Sequence, residues 1–410
     1  MTVHEYILKN WGNTIKRADE TGKTLFQLPK PYTTPCASSL FINFFYWDTY
    51  FANLGLMLDG MEEQVENNLD TMKFFIDFLG YVPNADHLIT RTQPPVFTRG
   101  VWDYYQLKDD KAVIEKYVSS IIRELSFFES DRMTECGLNA YGNCETNLGK
   151  EWYYEEFDRR LQFTEEEKQI EKFAFVDNLL AIAESGWDFN PRFQVPGNRF
   201  ASKSFAHLDL NCLLYDAEVK LSQMLAIIGR VEESEKYAKK AADRKDFIQK
   251  YMRDEETGIY LDYNFKTGKL SETLSAASFY PYALGISTDA DGVMKVLEGL
   301  DLPYGISACE YKGEDVKYYQ WDYPSMWPTN AYFAYEALKN AGLPEKAAYV
   351  RDKYISTVEK VFEATGELWE KYDAKNGVVS VTPEYETPDM MGWTAGIYEY
   401  FCNERKYEDK

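Results

Sequence analysis

The sequence predicts an all-α fold, a helical toroid in which helical hairpins close into a ring. The first observation behind this prediction is that helical patterns of apolar residues come in consecutive pairs. The second is that the first helix of a pair is apolar on most faces and the second on one. Such inner and outer helices close into a ring more naturally than they form a flat bundle. No Pro-, Gly- or Ser-rich linker divides the 410 residues, so we expect a single catalytic domain over 1–410.

Three helix pairs carry this pattern. In the first, an apolar and aromatic helix runs into Asp59-Gly60, and the next helix has apolar residues from Val65 to Leu79 at steps of four and three. In the third, Gly342 is a helix stop and Pro344 begins the following helix. The pairs are 47–58 with 65–79, 210–228 with 232–252, and 329–341 with the helix that begins at 344.

The long segments between the pairs are predicted to form loops on one rim of the ring. Turn signals at Thr257-Gly258 and Thr267-Gly268 bound the short run 259–263, which predicts a β-hairpin within 254–269. The span 132–163 is polar, aromatic and without clear periodicity, so we expect an irregular loop there. Loops of this length in a compact protein tend to carry function.

Composition and charge exclude several classes of partner. The formal net charge of −22 is spread along the chain, which argues against nucleic acid or an anionic membrane and fits a small neutral sugar. No apolar run is long enough to span a bilayer and residues 1–14 lack the apolar core of a signal peptide, so we expect a cytoplasmic protein. The six cysteines have no C-x-x-C or zinc-ligand spacing, which predicts reduced thiols and no metal or other cofactor.

Tryptophans followed by aspartates stand near the predicted starts of the inner helices. If these helices run parallel, their starts converge on one mouth of the ring and the side chains line one cup. Aromatic faces suit the C–H surface of a sugar and carboxylates accept its hydroxyl protons, so the cup suits a glycoside. An Asp near a helix start is also a common cap, which is our expectation for Asp103. The residues are Trp47-Asp48, Trp102-Asp103, Trp187-Asp188, Trp321-Asp322 and Trp393.

The hexapeptide Glu184-Ser185-Gly186-Trp187-Asp188-Phe189 places a carboxyl group between two aromatic residues, after a predicted buried helix over 178–183. A carboxyl group shielded by apolar rings loses hydration in its charged form. Its pKa therefore rises, and it can act as a general acid near neutral pH. The alternative is that both rings belong to the core and that Asp188 caps the next segment. The hexapeptide alone leaves both interpretations open.

Further short motifs stand in order between Phe41 and Trp393. They are Phe-Tyr-Trp-Asp-Thr-Tyr-Phe (45–51), Val-Pro-Asn (82–84), Arg-Thr-Gln-Pro-Pro (91–95), Glu-Ser-Gly-Trp-Asp-Phe (184–189), Asp-Leu-Asn (209–211), Gln-Trp-Asp (320–322), Glu-Lys-Tyr-Asp (370–373) and Gly-Trp-Thr (392–394). This set resembles the trehalases of glycoside hydrolase family 37 and the related family 63 enzymes. The resemblance implies an (α/α)6 toroid that cleaves α-glycosidic bonds with inversion.

The resemblance also implies roles for individual residues. Asp188 matches the general acid and Glu370 the general base, while Glu384 matches a second glutamate on a lid and is the alternative base. In an inverting hydrolase the two carboxyl groups stand about 6.5–9.5 Å apart, which leaves room for water. The other matched positions are expected to bind the sugar, and they are Phe41, Tyr46, Trp47, Asp48, Asn84, Arg91, Gln93, Glu151, Gly186, Trp187, Trp321, Asp322, Trp327 and Trp393.

Departures from the family pattern leave the substrate open. Trehalases have an arginine beside the first sugar-binding phenylalanine, where this chain has Leu40, and another before the glutamate matched by Glu151, where it has Gly149. Their glycine-rich lid corresponds here to 378–383, which contains no glycine. We expect a small soluble α-glucoside such as trehalose or a related disaccharide. The alternative is mannosylglycerate or glucosylglycerate, because the segment 321–330 resembles family 63, whose short members include enzymes that hydrolyse these compounds.

Two of the candidate site residues also have a purely structural interpretation. Glu370 is followed by Lys371, and a glutamate and lysine side by side are a common surface pair. Arg91 suits bidentate contact with sugar hydroxyls or with a glycerate carboxylate, but in so acidic a chain it also suits a structural salt bridge.

Other classes of function fit the sequence less well. A toroidal sugar epimerase relies on histidines for proton transfer, and the three histidines, His4, His87 and His207, lie outside the motifs. A non-catalytic sugar-binding protein would keep the aromatic residues and lose a carboxylate, whereas both carboxylates are present. The glycine-rich phosphate-binding motifs of nucleotide enzymes are absent from the sequence.

Overall fold

The computed structural model describes residues 1–17, 25–37, 40–382, 384 and 386–408; Pro383 of the predicted lid lies outside them. The α-helices are α1 Val3–Thr14, α2 Tyr46–Leu58, α3 Glu62–Leu79, α4 Phe97–Lys108, α5 Lys111–Asp131, α6 Asn147–Leu161, α7 Lys172–Glu184, α8 Leu208–Ile227, α9 Val231–Tyr251, α10 Tyr280–Ala283, α11 Ala290–Leu300, α12 Pro328–Asn340, α13 Pro344–Thr365 and α14 Gly392–Glu408. Single 3-10 turns cover Glu167–Gln169, Ser202–Ser204 and Ala276–Phe279, the last leading into α10.

The strands are two residues long and form small antiparallel sheets in the loops. They are β1 Ile15–Lys16, β2 Tyr32–Thr33, β3 Phe205–Ala206, β4 Tyr263–Asn264, β5 Lys269–Leu270, β6 Asp301–Leu302, β7 Gly305–Ile306, β8 Ser325–Met326, β9 Tyr372–Asp373 and β10 Val378–Val379. The sheets are β1-β2, β3-β4-β5, β6-β7 and β8-β9-β10. The pairing of Ser325 with Asp373 and of Met326 with Tyr372 joins the loop before α12 to the loop before α14.

Six inner helices form a closed ring in the described part of the chain. Helices α2, α4, α8, α10, α12 and α14 contact one another in this order, and α14 packs back on α2. The outer layer is α3, α5, α9, α11, α13 and α1, each beside one inner helix or the turn that leads into it. Residues 46–56 of α2 are all buried, whereas the buried residues of α9 are only Tyr237, Ala241, Arg244 and Ile248. The predicted all-α toroid, in its (α/α)6 form, is confirmed.

The ring closes where α14 meets α2, and two glycines allow this close approach. A Cβ atom built on Gly396 would lie 1.9 Å from the carbonyl oxygen of Phe51, and one on Gly55 would lie 2.9 Å from the Cα of Gly396. No side chain fits at either position without separating the helices. The outer helix α1 then covers this seam with the buried side chains of Ile7 and Trp11.

Two local predictions are wrong. Trp102 and Asp103 lie in the middle of α4, not at its start, and Asp103 is no cap because the Tyr50 hydroxyl donates to its carboxylate at 3.0 Å. The span 132–163 is not irregular throughout, since it contains α6. The predicted rim hairpin is present, with β4 and β5 as its strands, and it overlaps the run 259–263 at Tyr263.

Helices α6 and α7 form a hairpin outside the ring with a small core of its own. Seven phenylalanines fill this core together with leucine and valine side chains of α7, and they are Phe157, Phe163, Phe175, Phe189, Phe193, Phe200 and Phe205. The chain leaves α7 at Glu184 and passes directly into the segment that carries Asp188. In the described residues no helix is both long enough and apolar enough to cross a membrane.

Candidate active site

A cavity of about 590 Å³ opens at one mouth of the ring. This volume lies within the range of small-molecule sites. Thirteen of the predicted site residues line it, and they are Phe41, Trp47, Asp48, Asn84, Arg91, Gln93, Gly186, Asp188, Trp321, Trp327, Glu370, Glu384 and Trp393. The structure therefore brings together residues from the two ends of the chain and from its middle.

Four tryptophans form one wall of the cavity. Trp321 and Trp327 are stacked with their ring centroids 3.7 Å apart and their planes at 3°. Trp393 stands edge-on to this stack, with its centroid 5.6 Å from that of Trp327, and Trp47 is tilted by 47° to Trp321. All four are at most 4% exposed, so the wall is rigid and dry except towards the cavity. Flat aromatic faces of this kind bind the C–H surfaces of sugars.

The turn before Asp188 is fixed by a buried carboxylate. Glu184 accepts hydrogen bonds from the Arg132 guanidinium at 3.0–3.2 Å and from the Thr92 amide at 3.1 Å. Gly186 then takes a φ of +75°, a left-handed conformation that glycine adopts without strain. The Gln320 side chain donates to the carbonyl oxygen of Asp188, which ties this turn to the tryptophan wall.

The Asp188 carboxyl group is 32% exposed and is open to the cavity. Burial raises its pKa, because the enclosing protein disfavours the charged form. Arg160 and then Arg91 oppose this shift, and the Arg160 Nη2 atom lies 3.8 Å from the Asp188 Oδ2 atom. A carboxyl group with a raised pKa and a path to the cavity has the properties of a general acid.

Glu370 lies in the loop before α14 with its side chain only 3% exposed. Its Oε2 atom is 2.7 Å from the Lys371 ammonium, and the Trp393 indole donates to its carbonyl oxygen at 3.1 Å. The expected pair with Lys371 is present, but it is buried, and Glu370 lines the cavity, which a residue of a surface pair would not. The lysine itself stands 5.0 Å from the centre of the Trp327 ring. A carboxyl group that lines the cavity opposite a candidate acid has the position of a general base.

Two further carboxyl groups of the cavity have raised pKa values. Burial raises the pKa of Asp48 to about 8, and the neighbouring charge of Glu370 adds to the shift. Burial raises the pKa of Glu384 to about 7, while Arg160 and the Gln320 amide, 2.9 Å from its Oε1 atom, act in the opposite direction. Asp48 and Glu384 can therefore hold protons near neutral pH.

Arg91 and Gln93 lie side by side on the cavity wall. The Gln93 side chain accepts a hydrogen bond from the Trp47 amide at 3.1 Å and so fixes the start of α2. The Arg91 Nη1 atom donates to the Tyr153 hydroxyl at 3.1 Å. In the described part of the chain no carboxylate lies within 4.0 Å of the Arg91 guanidinium. The geometry therefore does not support the alternative interpretation of Arg91 as part of a structural salt bridge.

Four predicted sugar-binding residues do not line the cavity. The Tyr46 hydroxyl is buried and donates to Glu124 at 2.7 Å, because this residue points into the core of the ring. Glu151 forms an ion pair with Lys172 near the surface. The Trp187 ring lies beneath Trp321 at 5.0 Å, and the Asp322 carboxyl accepts hydrogen bonds from the amides of its own loop, Tyr319 and Tyr323. The prediction that these four residues line the sugar site is therefore corrected. Trp187 and Asp322 instead support the cavity wall, the first by packing under Trp321 and the second by holding its own loop.

Several lining residues were not predicted from the sequence, namely Asn43, Phe45, His87, Leu88, Glu156, Arg159, Arg160, Gln320 and Met390. Gln320 stands in a matched motif, which is a signal that could have found it. Arg160 lies in α6, whose charged residues at steps of three, such as Glu156 and Arg159, are a helix signal that the low apolar content obscured. Among the described residues, three potential metal ligands meet only at His4, Asp59 and Glu399, none of which lines the cavity.

An all-α toroid whose cavity combines a tryptophan wall with facing carboxyl groups is the arrangement of a glycoside hydrolase. The chain belongs to the trehalase family, whose model matches residues 3–405. Over 397 residues it is 27% identical to the periplasmic trehalase of Pseudomonas aeruginosa, covering 91% of this chain and 71% of that one.

Solved structures show the same fold. The neutral trehalase Nth1 from Saccharomyces cerevisiae superposes with a TM-score of 0.76 at 22% identity, covering 98% of this chain and 80% of that one. The family 63 mannosylglycerate hydrolase from Thermus thermophilus, in complex with Tris and D-glycerate, superposes with a TM-score of 0.67 at 14% identity. That match covers 98% of this chain and 100% of the other.

Proposed function

We propose that the protein is an inverting, exo-acting hydrolase of a small α-glucoside, such as trehalose or a related disaccharide. The observation that carries the proposal is that Asp188 and Glu370, from distant parts of the chain, line one cavity. The family membership and the tryptophan wall support a sugar as the ligand. The proposed partner is a small sugar substrate, bound without a cofactor.

In the proposed reaction the sugar ring lies against the tryptophan wall with its anomeric carbon between the two carboxyl groups. Asp188 gives its proton to the leaving oxygen as the glycosidic C–O bond breaks. A water molecule on the opposite face forms the new C–O bond and loses a proton to Glu370. The product is the β-anomer, since water enters opposite to the leaving group. Arg91 and Gln93 bind sugar hydroxyls beside this point.

A second candidate is a hydrolase of mannosylglycerate or glucosylglycerate. One observation favours it over trehalose, namely that the chain has Leu40 and Gly149 where the resemblance to trehalases implies arginines. The fold is compatible with it as well, since the chain superposes on the family 63 mannosylglycerate hydrolase over 98% of its length. Both candidates share the acid, the base and the inverting course, and differ only in the leaving group and in the choice of glucose or mannose.

The test is a panel of α-linked disaccharides and glycosylglycerates incubated with the purified protein. Release of glucose or mannose is measured over time, with the Asp188→Asn variant as the control for contaminating hydrolases. We expect at least one α-glucoside of the panel to be cleaved by the wild type and not by the variant. If no member releases sugar above the control, the proposal is wrong.

We also propose a cytoplasmic location and one catalytic domain over 1–410. Cys136, Cys144, Cys212, Cys309 and Cys402 are free thiols, which suits a reducing compartment. The Pseudomonas relative is by its name periplasmic, so the location needs its own experiment. Fractionation of cells that produce the protein, followed by immunoblotting, should give the signal in the cytosolic fraction. A periplasmic signal would contradict the proposed location without affecting the proposed reaction.

A further inference from the structure

A second, smaller cavity of about 220 Å³ opens beside the first, and we call it the side alcove. It shares Arg159, Arg160 and Glu384 with the main cavity, and its far wall is the loop that carries Lys317 and Tyr319. Residues from α6 and from this loop therefore extend the main cavity away from the tryptophan wall. The shared lining makes the alcove reachable by a substrate bound in the main cavity.

Arg160 stands between the two cavities without a hydrogen bond to any described residue. Its side chain is 16% exposed, and its guanidinium lies 5.3 Å above the ring of Phe189. The nearest carboxylate atoms, on Glu384 and Asp188, are 3.5 and 3.8 Å from its Nη2 atom, beyond a well-formed hydrogen bond. Because Arg160 lines both cavities, its guanidinium donors are accessible from them and can take acceptors that a ligand brings.

The charges around the alcove are mainly positive, in a chain whose net charge is −22. Arg159, Arg160 and Lys317 line the alcove with a single carboxyl group, Glu384, whose pKa is raised to about 7. Arg159 is already paired with Glu156 at 2.6 Å, and the pKa of Lys317 is lowered, first by burial and then by the positive charge of Arg199. Arg160 and Lys317, on either side of one carboxyl group with a raised pKa, favour an anion in the space between them.

We propose that the side alcove binds an oxyanion, a carboxylate or a phosphate, carried by the leaving group of the substrate. This proposal rests on the proposed hydrolase. Arg160 lies 3.8 Å from Asp188, the group that would protonate the leaving oxygen, so what it binds belongs to the leaving side of the bond. The planar fork of a guanidinium matches two oxygens of such an anion. Glycosides with a charged leaving group are then preferred to neutral ones of the same size.

The test compares three α-glucosides that share a skeleton: glucosylglycerol, glucosylglycerate and glucosylglycerol phosphate. We expect the wild-type enzyme to have a kcat/KM at least about tenfold higher for one or both anionic members than for the neutral one. In Arg160→Gln the anionic substrates should lose about 10- to 150-fold, the range for hydrogen bonds to charged groups. The kcat/KM for the neutral substrate should fall much less. The ratio of kcat/KM for the anionic substrate to that for the neutral one cancels any effect that the substitution has on Asp188.

Two further variants sharpen this test. Arg160→Lys keeps the charge but not the fork, so it should retain part of the preference. Arg230→Gln removes one positive charge from a surface pair with Glu233 and serves as the matched control, with an unchanged preference. Equal kcat/KM values for the three substrates in the wild type, or a preference that survives Arg160→Gln, would overturn the proposal.

Binding gives a second readout that needs no turnover. By calorimetry, free D-glycerate or inorganic phosphate should bind to the wild-type protein more tightly than glycerol does, with a Kd that rises with salt. Arg160→Gln should remove this difference. Anions that bind no better than glycerol would overturn the alcove as an anion site. Anion binding through Arg160 in a protein that cleaves no glycoside would instead contradict the hydrolase and, with it, the leaving-group role.

Discussion

Asp188 and Glu370 face one cavity, but different parts of the molecule hold them in different surroundings. Asp188 follows the hairpin of α6 and α7 and stands beside the small phenylalanine core, where burial raises its pKa. Glu370 belongs to a loop of the ring, and its carboxylate is 2.7 Å from the buried ammonium of Lys371. Burial thus favours the protonated form of Asp188, whereas the Glu370 carboxylate has a directly bonded cation.

This difference separates the two chemical roles on physical grounds. A general acid must carry a proton when the substrate binds, and a general base must not. Desolvation without a close hydrogen-bonded cation favours the first property. The comparison supports the proposal that Asp188 is the acid and Glu370 the base, independently of the order of the motifs. The four predictions below test the two assignments and their surroundings, beginning with the largest expected effect.

The largest effect is expected from Asp188→Asn. An amide cannot protonate the leaving oxygen, and general-acid assistance contributes about 10²- to 10⁴-fold to the rate. We expect kcat on the natural substrate to fall by this factor, with an unchanged circular dichroism spectrum. Hydrolysis of α-glucosyl fluoride, whose leaving group needs no proton, should fall far less. A folded variant that retains more than about a tenth of the wild-type turnover would remove Asp188 from the role of acid.

Glu370→Gln should lose a comparable factor, but on both substrates. Without the base, water is not activated whatever the leaving group, so α-glucosyl fluoride should not rescue the rate. The decrease in rate that protonation of the base causes at low pH should disappear as well. Proton NMR of the wild-type reaction should detect the β-anomer first, and mass spectrometry should find no covalent glycosyl-enzyme in the variant.

Glu384→Gln is the matched control for this assignment, because Glu384 also lines the cavity. We expect Glu384→Gln to keep more activity than Glu370→Gln. The α-anomer as first product would contradict the inverting course. An inactive Glu384→Gln beside an active Glu370→Gln would show that the base was assigned to the wrong glutamate.

The two sides of the site also differ in how far the sequence predicts them. The ring was predictable because the apolar patterns of 47–58, 210–228 and 329–341 are local, and the observed helices begin within two residues of them. Of the Trp-Asp pairs, only Trp47-Asp48 lies at the start of an inner helix. The segments with Asp188 and Trp321 are loops, joined by contacts such as the Trp321 amide to the Phe189 carbonyl at 3.0 Å. Periodicity carries no information on contacts between residues so distant in the chain.

Arg160 illustrates the same limit from the other direction. Its helix, α6, buries only Phe157 and Leu161, so the apolar stripe that identifies an amphipathic helix is almost absent. The helix is held by its contact with α7 and by the Thr146 side chain, which accepts a hydrogen bond from the Gly149 amide at 3.1 Å. Such tertiary support appears only in the structure, and with it the guanidinium that reaches Asp188.

A smaller effect is expected from Arg91→Ala, on the acid side of the cavity. Loss of hydrogen bonds from a charged donor should raise KM about 10- to 150-fold and change kcat much less. Arg91→Lys should be intermediate, since the ammonium keeps the charge and loses the fork. Tyr153→Phe removes only the partner of Arg91 within the protein, 3.1 Å away, and should change KM a few-fold at most. A lower Tm with unchanged kinetics would return Arg91 to a structural role.

The smallest effect concerns Asp48 on the base side. Its carboxyl group has a pKa of about 8 in the folded protein, and near 4 in an unfolded chain. Between these values the folded state holds a proton that the unfolded state has released. The free energy of unfolding therefore falls as the pH rises, by at most about 1.4 kcal/mol per pH unit. Asp48→Asn should remove this dependence, so its stability relative to the wild type should increase from pH 5 to pH 8 in urea unfolding.

This measurement also reports the charge on Glu370, because that charge is the second cause of the Asp48 shift. In a Glu370→Gln background the pKa of Asp48 should be lower, so Asp48→Asn should change the pH dependence less. Other buried carboxyl groups, such as Asp322, are present in both proteins of each comparison, so their contributions to the pH dependence of stability cancel. The surface variant Asp243→Asn, which breaks the exposed pair with Lys239, is the control. It should change the pH dependence of the free energy of unfolding much less than Asp48→Asn does. A pH dependence that Glu370→Gln leaves unchanged would contradict a charged Glu370, and with it the contrast between the two carboxyl groups.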